Sequence, residues 1–552
     1  MFRIFKKQKW CVKSIALIGC LVGGSIQGAT VTWDGGSTVN GNFTTGLNWV
    51  GDLAPGLSGG TATSGWSTNQ DQAIFNSPIT NGWGESLTPV SFSGIVNIKD
   101  IIFDTNAGNY VLGSTTANTL HLSGGGSIDL RSTLTSAALV TETMNSAMRL
   151  YDTASFINNS ANGGGVNSGV FLFAGGITGV ATLTLAGSNE NNNLISGKLA
   201  DGATLAGVAG KLSISKSDSG TWILSGTNTY SGTTAITGGT LQAKNVKALG
   251  TSAVSMNGGT LDLLTSVNDI YGNKIAVENG TIISNRNTVG VGVKHTLGEL
   301  TVQNQSKLSV TAGANVNSGT ATVAFTGAIL KGNTTFEVLQ TSPTVKTNLT
   351  IGGVSDEGNH FGFTKTGAGT LTIDQASSYT GATVILEGTT ELGVSGAISF
   401  SDLTMGGGTL RIIDNTTNTA GILTLTASSI FDFGAGGAYS TISFTAGSGS
   451  WGSGLNVYNW QDLKDQFIVG SNGSALNLTQ LANVNFYSDG GVTFLGHAKI
   501  SSVGSVSVEN FAAVPEPSSY GLVALGFLCL GCMFRRSSEK ARAKAFRDDA
   551  NF

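Results

Sequence analysis

The chain has 552 residues, of which 80 are glycine and only 6 are proline, and charged residues make up 11%. This low charge, together with a slightly positive mean hydropathy, excludes intrinsic disorder, and the absence of a Gly-x-y period excludes collagen. The formal net charge is −4, but both ends are basic, so the span between them is more acidic than this number indicates. No basic stripe is present, which argues against a nucleic-acid partner.

Residues 1–29 have the pattern of an export signal. Basic residues precede an apolar stretch from Ile15 to Ile26, and small residues follow it. The pattern predicts a Sec-type signal peptide that is removed near residue 28 or 29. The run Leu17-Ile-Gly-Cys20 also fits a lipoprotein box, so acylation at Cys20 stays open. All four cysteines lie in the two apolar end segments, which predicts no disulfide framework and no thiolate metal site.

Residues 30–91 are rich in aromatic side chains, including Trp33, Trp49 and Phe75. We predict that they form an N-terminal cap, because the first strand of a stacked-strand protein exposes an unpaired edge that bulky side chains can cover. A sugar-binding aromatic platform is the alternative.

The centre of the chain contains a repeat, which occupies residues 216–264 and again 365–413. Within each copy, Gly-Thr pairs recur at intervals of about 20 residues, a spacing typical of stacked-repeat proteins. Each pair opens a short run with alternate apolar residues, as in a strand with one buried face. We therefore predict a parallel β-solenoid over residues 92–421. The residues that define the repeat are Gly220, Thr221, Tyr230, Gly232, Gly239 and Thr240 in the first copy, and Gly369, Thr370, Tyr379, Gly381, Gly388 and Thr389 in the second.

The segments SGTWILSGTNTYSGTTAITGGTLQ and TGAGTLTIDQASSYTGATVILEGTTEL resemble the passenger-associated β-strand repeat of bacterial autotransporters and other surface proteins. Tyr230-Ser-Gly and Tyr379-Thr-Gly are the most specific part of this resemblance. A weaker third copy lies at residues 181–197, without the tyrosine. The predicted fold class is all-β: a right-handed parallel β-helix with an aromatic N-terminal cap, a β-rich C-terminal cap over residues 422–510, and one C-terminal transmembrane helix. Residues 136–151 are the exception, which we predict as a short helix.

The C-terminal tail has three parts. Pro515, Glu516 and Pro517 precede an uncharged apolar run from 520 to 534, and Arg535 and Arg536 follow it. The run predicts a membrane helix whose arginines stay in the cytoplasm. The order resembles the PEP-CTERM sorting signal, here residues 511–536, which implies recognition by an exosortase in a Gram-negative bacterium. The basic tail 537–552 departs from that signal, so its cleavage stays open.

The sequence offers little catalytic chemistry. Its four histidines are far apart, and no H-x-x-x-H or H-E-x-x-H motif occurs. Asp356, Glu357 and His360 form the one compact group of titratable residues in mid-chain, for which we predict a solvated loop, with weak Ca²⁺ binding as the alternative. We predict no catalytic residue, no metal site and no cofactor. A β-helix polysaccharide lyase or hydrolase stays an alternative, although its paired carboxylates are not evident.

These features predict an exported, surface-anchored β-solenoid with a structural or adhesive role in the cell envelope or extracellular polysaccharide matrix. The predicted partners are an exosortase-type enzyme, the membrane through the C-terminal helix, and extracellular polysaccharide. The predicted route runs through an inner-membrane-anchored intermediate to the cell surface. A self-translocating autotransporter passenger is the other alternative, but the last hundred or so residues lack the series of alternating strands that its transport domain needs.

Overall fold

The computed structural model of the chain describes residues 28–58, 69–79, 82–114, 119–203, 207–398, 401–449, 451 and 453–509. The predicted sorting signal 511–536, the tail 537–552 and nearly all of the predicted signal peptide 1–29 lie outside these residues. Strands account for 50% of the residues and helices for 2%, so the all-β prediction is confirmed. In the described part of the chain, no helix is long and apolar enough to cross a membrane. The predicted C-terminal transmembrane helix lies outside that part.

The described residues contain short strands almost throughout. The strands up to residue 201 are β1 (Thr30–Thr32), β2 (Leu57–Ser58), β3 (Gln72–Phe75), β4 (Ile95–Phe103), β5 (Val111–Leu112), β6 (Thr119–Leu130), β7 (Val140–Met144), β8 (Ala147–Leu150), β9 (Ala154–Asn158), β10 (Gly169–Phe173), β11 (Ile177–Gly179), β12 (Thr182–Ala186), β13 (Asn193–Ile195) and β14 (Leu199–Asp201). The strands of the central part are β15 (Ser213–Lys216), β16 (Thr221–Leu224), β17 (Thr234–Ile236), β18 (Thr240–Ala243), β19 (Val254–Leu264), β20 (Asp269–Ile270), β21 (Ile275–Asn285), β22 (Gly290–Val291), β23 (Lys294–Leu297), β24 (Leu300–Ala312), β25 (Val316–Phe325), β26 (Ala328–Leu330), β27 (Thr334–Leu339), β28 (Val345–Ile351), β29 (Val354–Ser355), β30 (Phe363–Thr366), β31 (Thr370–Ile373), β32 (Thr383–Ile385) and β33 (Thr389–Leu392). The remaining strands are β34 (Leu403–Gly406), β35 (Thr409–Ile412), β36 (Thr417–Ala427), β37 (Ser429–Asp432), β38 (Thr441–Ser448), β39 (Leu455–Tyr458), β40 (Gln466–Val469), β41 (Val484–Tyr487), β42 (Phe494–Ile500) and β43 (Ser505–Val508). One α-helix, α1 (Leu478–Ala482), and two 3-10 helices, Gly46–Asn48 and Asp489–Gly491, complete the described elements.

The strands form an open sheet in which most pairings are parallel and join strands that are not consecutive in the chain. Most of the parallel pairings form four ladders, and the long strands β4, β6, β19, β21 and β24 each contribute to two of them. Ladder 1 runs β1, β3, β4, β6, β9, β12, β15, β17, β19, β21, β24, β26, β29. Ladder 2 runs β5, β7, β10, β13, β16, β18, β19, β21, β24, β27, β30, β32, β34, β36, β38, β40. Ladder 3 runs β4, β6, β8, β11, β14. Ladder 4 runs β20, β23, β25, β28, β31, β33, β35, β37, β39, β41.

The register of these ladders stacks apolar side chains in the interior. In ladder 1, Ile236 lies beside Met256, which lies beside Val277, and the stack continues through Val302 to Leu330. All five are fully buried. Each such side chain contributes about 1.5–3 kcal/mol by leaving water, and it does so only because the neighbouring strands cover it.

The second copy of the repeat builds the same kind of stack in ladder 2. Ile385 lies beside Met405, which lies beside Leu425. Isoleucine and methionine thus occupy equivalent buried positions in both copies. These apolar identities are explained by stacking.

The N-terminal aromatic residues pack against one another in the interior. Trp33 meets Trp49 edge to face at 5.1 Å, and Phe43 and Phe75 complete the cluster. The indole N–H of Trp49 donates to the carbonyl of Phe43 at 2.7 Å. Because Trp33 and Trp49 are buried, their faces are not available to a sugar, and the aromatic-platform alternative is wrong for these two residues.

The helix predicted over residues 136–151 is wrong. This stretch forms β7 and β8, in which buried and partly exposed residues alternate. β7 pairs with β5 and β10, and β8 pairs with β6 and β11. Pairing with two parallel neighbours stabilises each strand by more than the helical propensity of the local sequence favours a helix. The local sequence carries no information about those neighbours.

The C-terminal end changes from parallel to antiparallel pairing. β42 pairs antiparallel with β41 and β43, and β43 pairs antiparallel with β40. Helix α1 precedes this hairpin and begins with a capping box between Asn477 and Gln480. The hairpin lies against the last strands of ladders 2 and 4, which would otherwise expose unpaired edges.

The repeat unit as the candidate functional site

The Gly-Thr pairs that mark the repeat lie next to one another on successive strands. Thr221 pairs with Thr240, which pairs with Thr260. In the second copy Thr370 pairs with Thr389, which pairs with Thr409, in ladder 4. The interval between Gly-Thr pairs is therefore the length of chain between neighbouring strands of one ladder.

The two tyrosines of the repeat hold a buried hydrogen bond. The Oη of Tyr230 lies 2.6 Å from the Oγ1 of Thr234, and the Oη of Tyr379 lies 2.6 Å from the Oγ1 of Thr383. In the second copy, Thr383 also bonds to the Oγ of Ser401 at 2.8 Å. Both tyrosines are fully buried, so each ring fills the core while its hydroxyl satisfies a threonine.

The glycine two residues after each tyrosine leaves no room for a side chain. A Cβ at Gly232 would lie 2.3 Å from the carbonyl oxygen of Leu212, and one at Gly381 would lie 2.2 Å from the carbonyl carbon of Phe361. This contact explains the glycine in the Tyr-Ser-Gly and Tyr-Thr-Gly motifs. Gly220 and Gly369 are buried as well: an added Cβ would lie 2.5 Å from the carbonyl oxygen of Asn189 at Gly220, and 2.6 Å from the Cγ1 of Val338 at Gly369.

The hydroxyl residue after each tyrosine bonds to an aspartate from an earlier strand or loop. Asp201 accepts from the N and Oγ of Ser231 at 3.0 and 2.7 Å. Asp356 accepts from the N and Oγ1 of Thr380 at 3.0 and 3.1 Å. Burial works to raise the pKa of each carboxyl, but these hydrogen bonds outweigh it and lower the pKa. Both groups are therefore ionised acceptors that fix the turn after the tyrosine.

This role accounts for the titratable group at residues 356–360. Asp356 is buried, and its other oxygen accepts from the backbone of Gly358. Glu357 forms an ion pair with Lys331, and the Nδ1 of His360 bonds to Thr380. Among the described residues, no cluster of His, Cys, Asp and Glu has the arrangement of a metal site.

Each copy of the repeat also contains a buried lysine, which is not among the residues predicted from the sequence. The Nζ of Lys216 donates to the carbonyls of Ser217, Asp218 (2.9 Å) and Gly238 (3.2 Å). Burial lowers the pKa of Lys216 to about 8, opposed by the charge of Asp218. The side chain is fully buried, and the three carbonyls take the place of water around its ammonium.

Lys365 repeats this arrangement. Its Nζ donates to the carbonyls of Thr366 (2.9 Å), Gly367 (2.7 Å) and Glu387 (3.2 Å). Burial lowers the pKa of Lys365 to about 8, opposed by the charge of Glu387. One sequence signal points to these residues: a lysine recurs at the same position of both copies, two residues after a buried apolar residue of the same strand.

The second Gly-Thr pair of each copy begins with a glycine beside this lysine. Gly239 has φ 56° and Gly388 has φ 63°. A Cβ at Gly239 would lie 2.6 Å from the Nζ of Lys216 and 2.3 Å from the carbonyl oxygen of Gly220. Glycine is required here both by the left-handed backbone and by the close approach of the lysine cage.

Comparison with known proteins identifies two features of the chain. Residues 214–243 and 363–392 match the Passenger-associated-transport-repeat family, and residues 513–536 match the PEP-CTERM protein-sorting motif. The chain carries both elements that its sequence predicts. The two matched repeats contain the lysines, the tyrosines and the turn glycines described above.

A stretch of 105 residues is 35% identical to the Adhesin BmaC autotransporter of Brucella suis biovar 1 (strain 1330). It covers 19% of this chain and 2% of that protein, so the chain spans only a small part of the length of this relative. No solved structure matches the chain. The sorting residues Pro515, Glu516, Pro517, Arg535 and Arg536 lie outside the described residues.

Proposed function

We propose that the protein is an exported surface protein with a structural or adhesive role, sorted by an exosortase-type enzyme. The observation that carries this proposal is the presence, in one chain, of passenger-associated repeats and a C-terminal PEP-CTERM motif. The likeness of one segment to an autotransporter adhesin supports the adhesive role. The setting would be the cell envelope or the extracellular polysaccharide matrix of a Gram-negative bacterium.

The proposed architecture is a right-handed parallel β-helix. The long parallel ladders, in which most strands pair with a strand two or three places further along the chain, support a coil. We assign the right hand because connections between parallel strands of one sheet are right-handed in nearly all proteins. A Sec signal peptide would deliver the chain across the inner membrane, and the apolar run 520–534 would hold it there until processing.

The role we propose is non-enzymatic. The repeated polar groups, Lys216 and Lys365 with their carbonyls and Asp201 and Asp356 with their hydroxyls, are all occupied by hydrogen bonds that hold turns. The alternative is a polysaccharide lyase or hydrolase, which can be tested by measuring cleavage of a polysaccharide. Incubation of the purified chain with an acidic polysaccharide would reveal it by a fall in polymer length.

The sorting proposal is tested by two deletions of the C-terminal region in a host that carries an exosortase. Removal of residues 513–536 is expected to abolish exposure to external protease, because the sorting motif is lost. Removal of the tail 537–552 is the control and is expected to leave exposure unchanged. Surface exposure of the first variant, or equal exposure of the intact chain in a host without exosortase, would contradict the proposal.

A further inference from the structure

Ladder 3 carries a groove of about 660 Å³, a volume in the range of ligand sites. Its residues lie in two columns across successive strands. In one column His121 lies beside Arg149, which lies beside Thr178, and Ala200 follows. In the other column Thr119 lies beside Ala147, and Lys198 ends the column next to Leu199, the first residue of β14.

The groove exists because small residues form its floor between larger ones. Ala147, Gly176 and Ala200 line its centre, and Arg149, Tyr151 and Lys198 line its sides. A Cβ at Gly176 would meet no atom closer than 3.6 Å, so the space above it is open. Because residues two apart in a strand share a face, the small and large side chains point to the same side of the ladder.

The two cations of the groove lack counter-charges. Arg131 and Arg411 each lie between two carboxylates, whereas neither Arg149 nor Lys198 forms an ion pair with any described residue. No aspartate or glutamate is among the described residues that line the groove. On an acidic chain with few basic residues, two cations without carboxylate partners in one groove indicate an anionic ligand.

Arg149 is held in place before any ligand arrives. Its guanidinium lies over the ring of Tyr151, with 4.8 Å between the Cζ and the ring centroid. Its Nη2 donates to the carbonyl of Ala203 at 2.9 Å. The ring of His121 meets that of Tyr151 edge to face at 5.2 Å. A fixed guanidinium loses less side-chain entropy when it binds a carboxylate, which favours binding.

His121 lines the groove and is uncharged at neutral pH. Burial, and next the charge of Arg149, lower the pKa of His121 to about 4. The positive charge facing the groove therefore comes from Arg149 and Lys198. A separation of two strands and two residues corresponds to about 12 Å between their Cα atoms.

We propose that this groove binds a carboxylate-bearing polysaccharide, an inference that rests on the proposed surface role. Carboxylates along the sugar chain would pair with Arg149 and Lys198, and the apolar faces of the sugar rings would lie on Ile95 and the small residues of the floor. Single-stranded nucleic acid fits less well. Its dense phosphate charge would be repelled by the acidic chain, and the groove offers no series of rings for base stacking.

Binding of the purified full chain, in detergent, to immobilised polygalacturonate tests this proposal. Dextran serves as the uncharged polymer and single-stranded DNA as the other anion. The variant Arg149→Gln with Lys198→Gln is compared with Lys294→Gln with Lys346→Gln, which removes the same charge from exposed sites outside the groove. Because the groove variant loses both charged hydrogen-bond donors, it is expected to bind polygalacturonate about tenfold or more weakly. The control variant and the intact chain are expected to bind polygalacturonate equally. Neither is expected to bind dextran.

Three outcomes would overturn the proposal: no binding of polygalacturonate by the intact chain, equal loss in both double variants, or groove-dependent binding that is tighter for single-stranded DNA. Each leaves the surface role standing, because that role is measured separately by protease exposure. Unfolding curves of all variants show whether the fold persists. If the groove variant does not fold, the single variant Lys198→Gln replaces it in the binding measurement. Its fold is expected to persist, because Lys198 is exposed and makes no ion pair with any described residue.

Discussion

Lys216 and Lys365 occupy the same position of the two repeats, and the ammonium of each donates to three backbone carbonyls from two successive turns. Neither ammonium meets a carboxylate of the described residues within ion-pair distance. Each lysine thus joins two successive turns of the chain by hydrogen bonds. Besides the glycines and the tyrosine, the two copies of the repeat therefore share a buried lysine.

Replacement of either lysine by methionine is expected to destabilise the chain. Lys365→Met would remove the ammonium from three carbonyls, of which that of Gly367 is buried and those of Thr366 and Glu387 are partly buried, and this is expected to cost about 3 kcal/mol in free energy of unfolding. Lys216→Met is expected to cost a similar amount. Urea unfolding followed by circular dichroism measures the effect. The exposed Lys346→Met is the control and is expected to change the free energy by about 0.5 kcal/mol or less. Equal effects of Lys346→Met and Lys365→Met would show that the carbonyl cage contributes nothing.

The two tyrosine hydroxyls are expected to contribute unequally. Tyr230→Phe removes the one hydrogen-bond partner that the buried Thr234 hydroxyl has among the described residues, whereas after Tyr379→Phe the Thr383 hydroxyl still bonds to Ser401. An unsatisfied buried hydroxyl costs about 1–3 kcal/mol, so Tyr230→Phe is expected to lower the free energy of unfolding more than Tyr379→Phe does.

The double variant Tyr230→Phe with Thr234→Val provides the control for this comparison. It removes both partners, so it is expected to cost less than the sum of the two single variants. Strict additivity, or a larger loss for Tyr379→Phe than for Tyr230→Phe, would show that the hydrogen bonds are not responsible.

The stability of the chain is expected to depend on pH through Glu142. Glu142 is fully buried in β7, where it accepts from the backbone N–H of Tyr110 at 3.0 Å. Burial raises the pKa of this carboxyl well above the ordinary value of 4.5, and the hydrogen bond opposes the rise. The native state therefore holds a proton that the unfolded state releases as the pH rises above 4.5, so this group lowers stability with increasing pH.

Glu142→Gln keeps the shape of the side chain and removes the titration. The intact chain is expected to lose stability between about pH 5 and about pH 8, and the variant to lose less of it. Chemical unfolding at the two pH values measures the difference. The exposed Glu278→Gln serves as the matched control and is expected to follow the intact chain. An identical pH profile for Glu142→Gln would mean that the carboxyl is ionised in the core.

The turn glycine beside the lysine cage is expected to be intolerant of any side chain. Gly388→Ala would impose a left-handed backbone on alanine, which costs about 1–2 kcal/mol, and would place a Cβ 2.4 Å from the carbonyl oxygen of Gly367. Gly358 also has a positive φ, but a Cβ added there would meet no atom within 4 Å. Gly358→Ala therefore measures the backbone cost alone, and thermal unfolding is expected to show a larger loss for Gly388→Ala. Equal losses of stability in Gly388→Ala and Gly358→Ala would show that the close contact at Gly388 has no energetic cost.

Much of the repeat could be predicted from residue types and spacing. The Gly-Thr interval reflects the distance along the chain between neighbouring strands, and the alternation after Thr240 reflects one buried face, whereas after Thr221 the residue Ile223 is buried as well. Residues 136–151 could not be predicted in this way, because their strands are selected by neighbours that come from residues 111–130 and 169–179. The buried lysines were also missed, because charge in a sequence indicates solvent exposure until the surrounding carbonyls are known.

The sequence alone determined that this chain is an all-β repeat protein with a sorting motif, because periodic glycines, alternating apolar residues and a three-part tail are local patterns. The tertiary structure alone decided which polar groups are buried and which cations are left without carboxylate partners among the described residues. Lys216 is enclosed by carbonyls from two turns, and Arg149 of β8 and Lys198, just before β14, face one groove. Such groupings depend on the register between strands far apart in the chain, and register is a property of the assembled ladders.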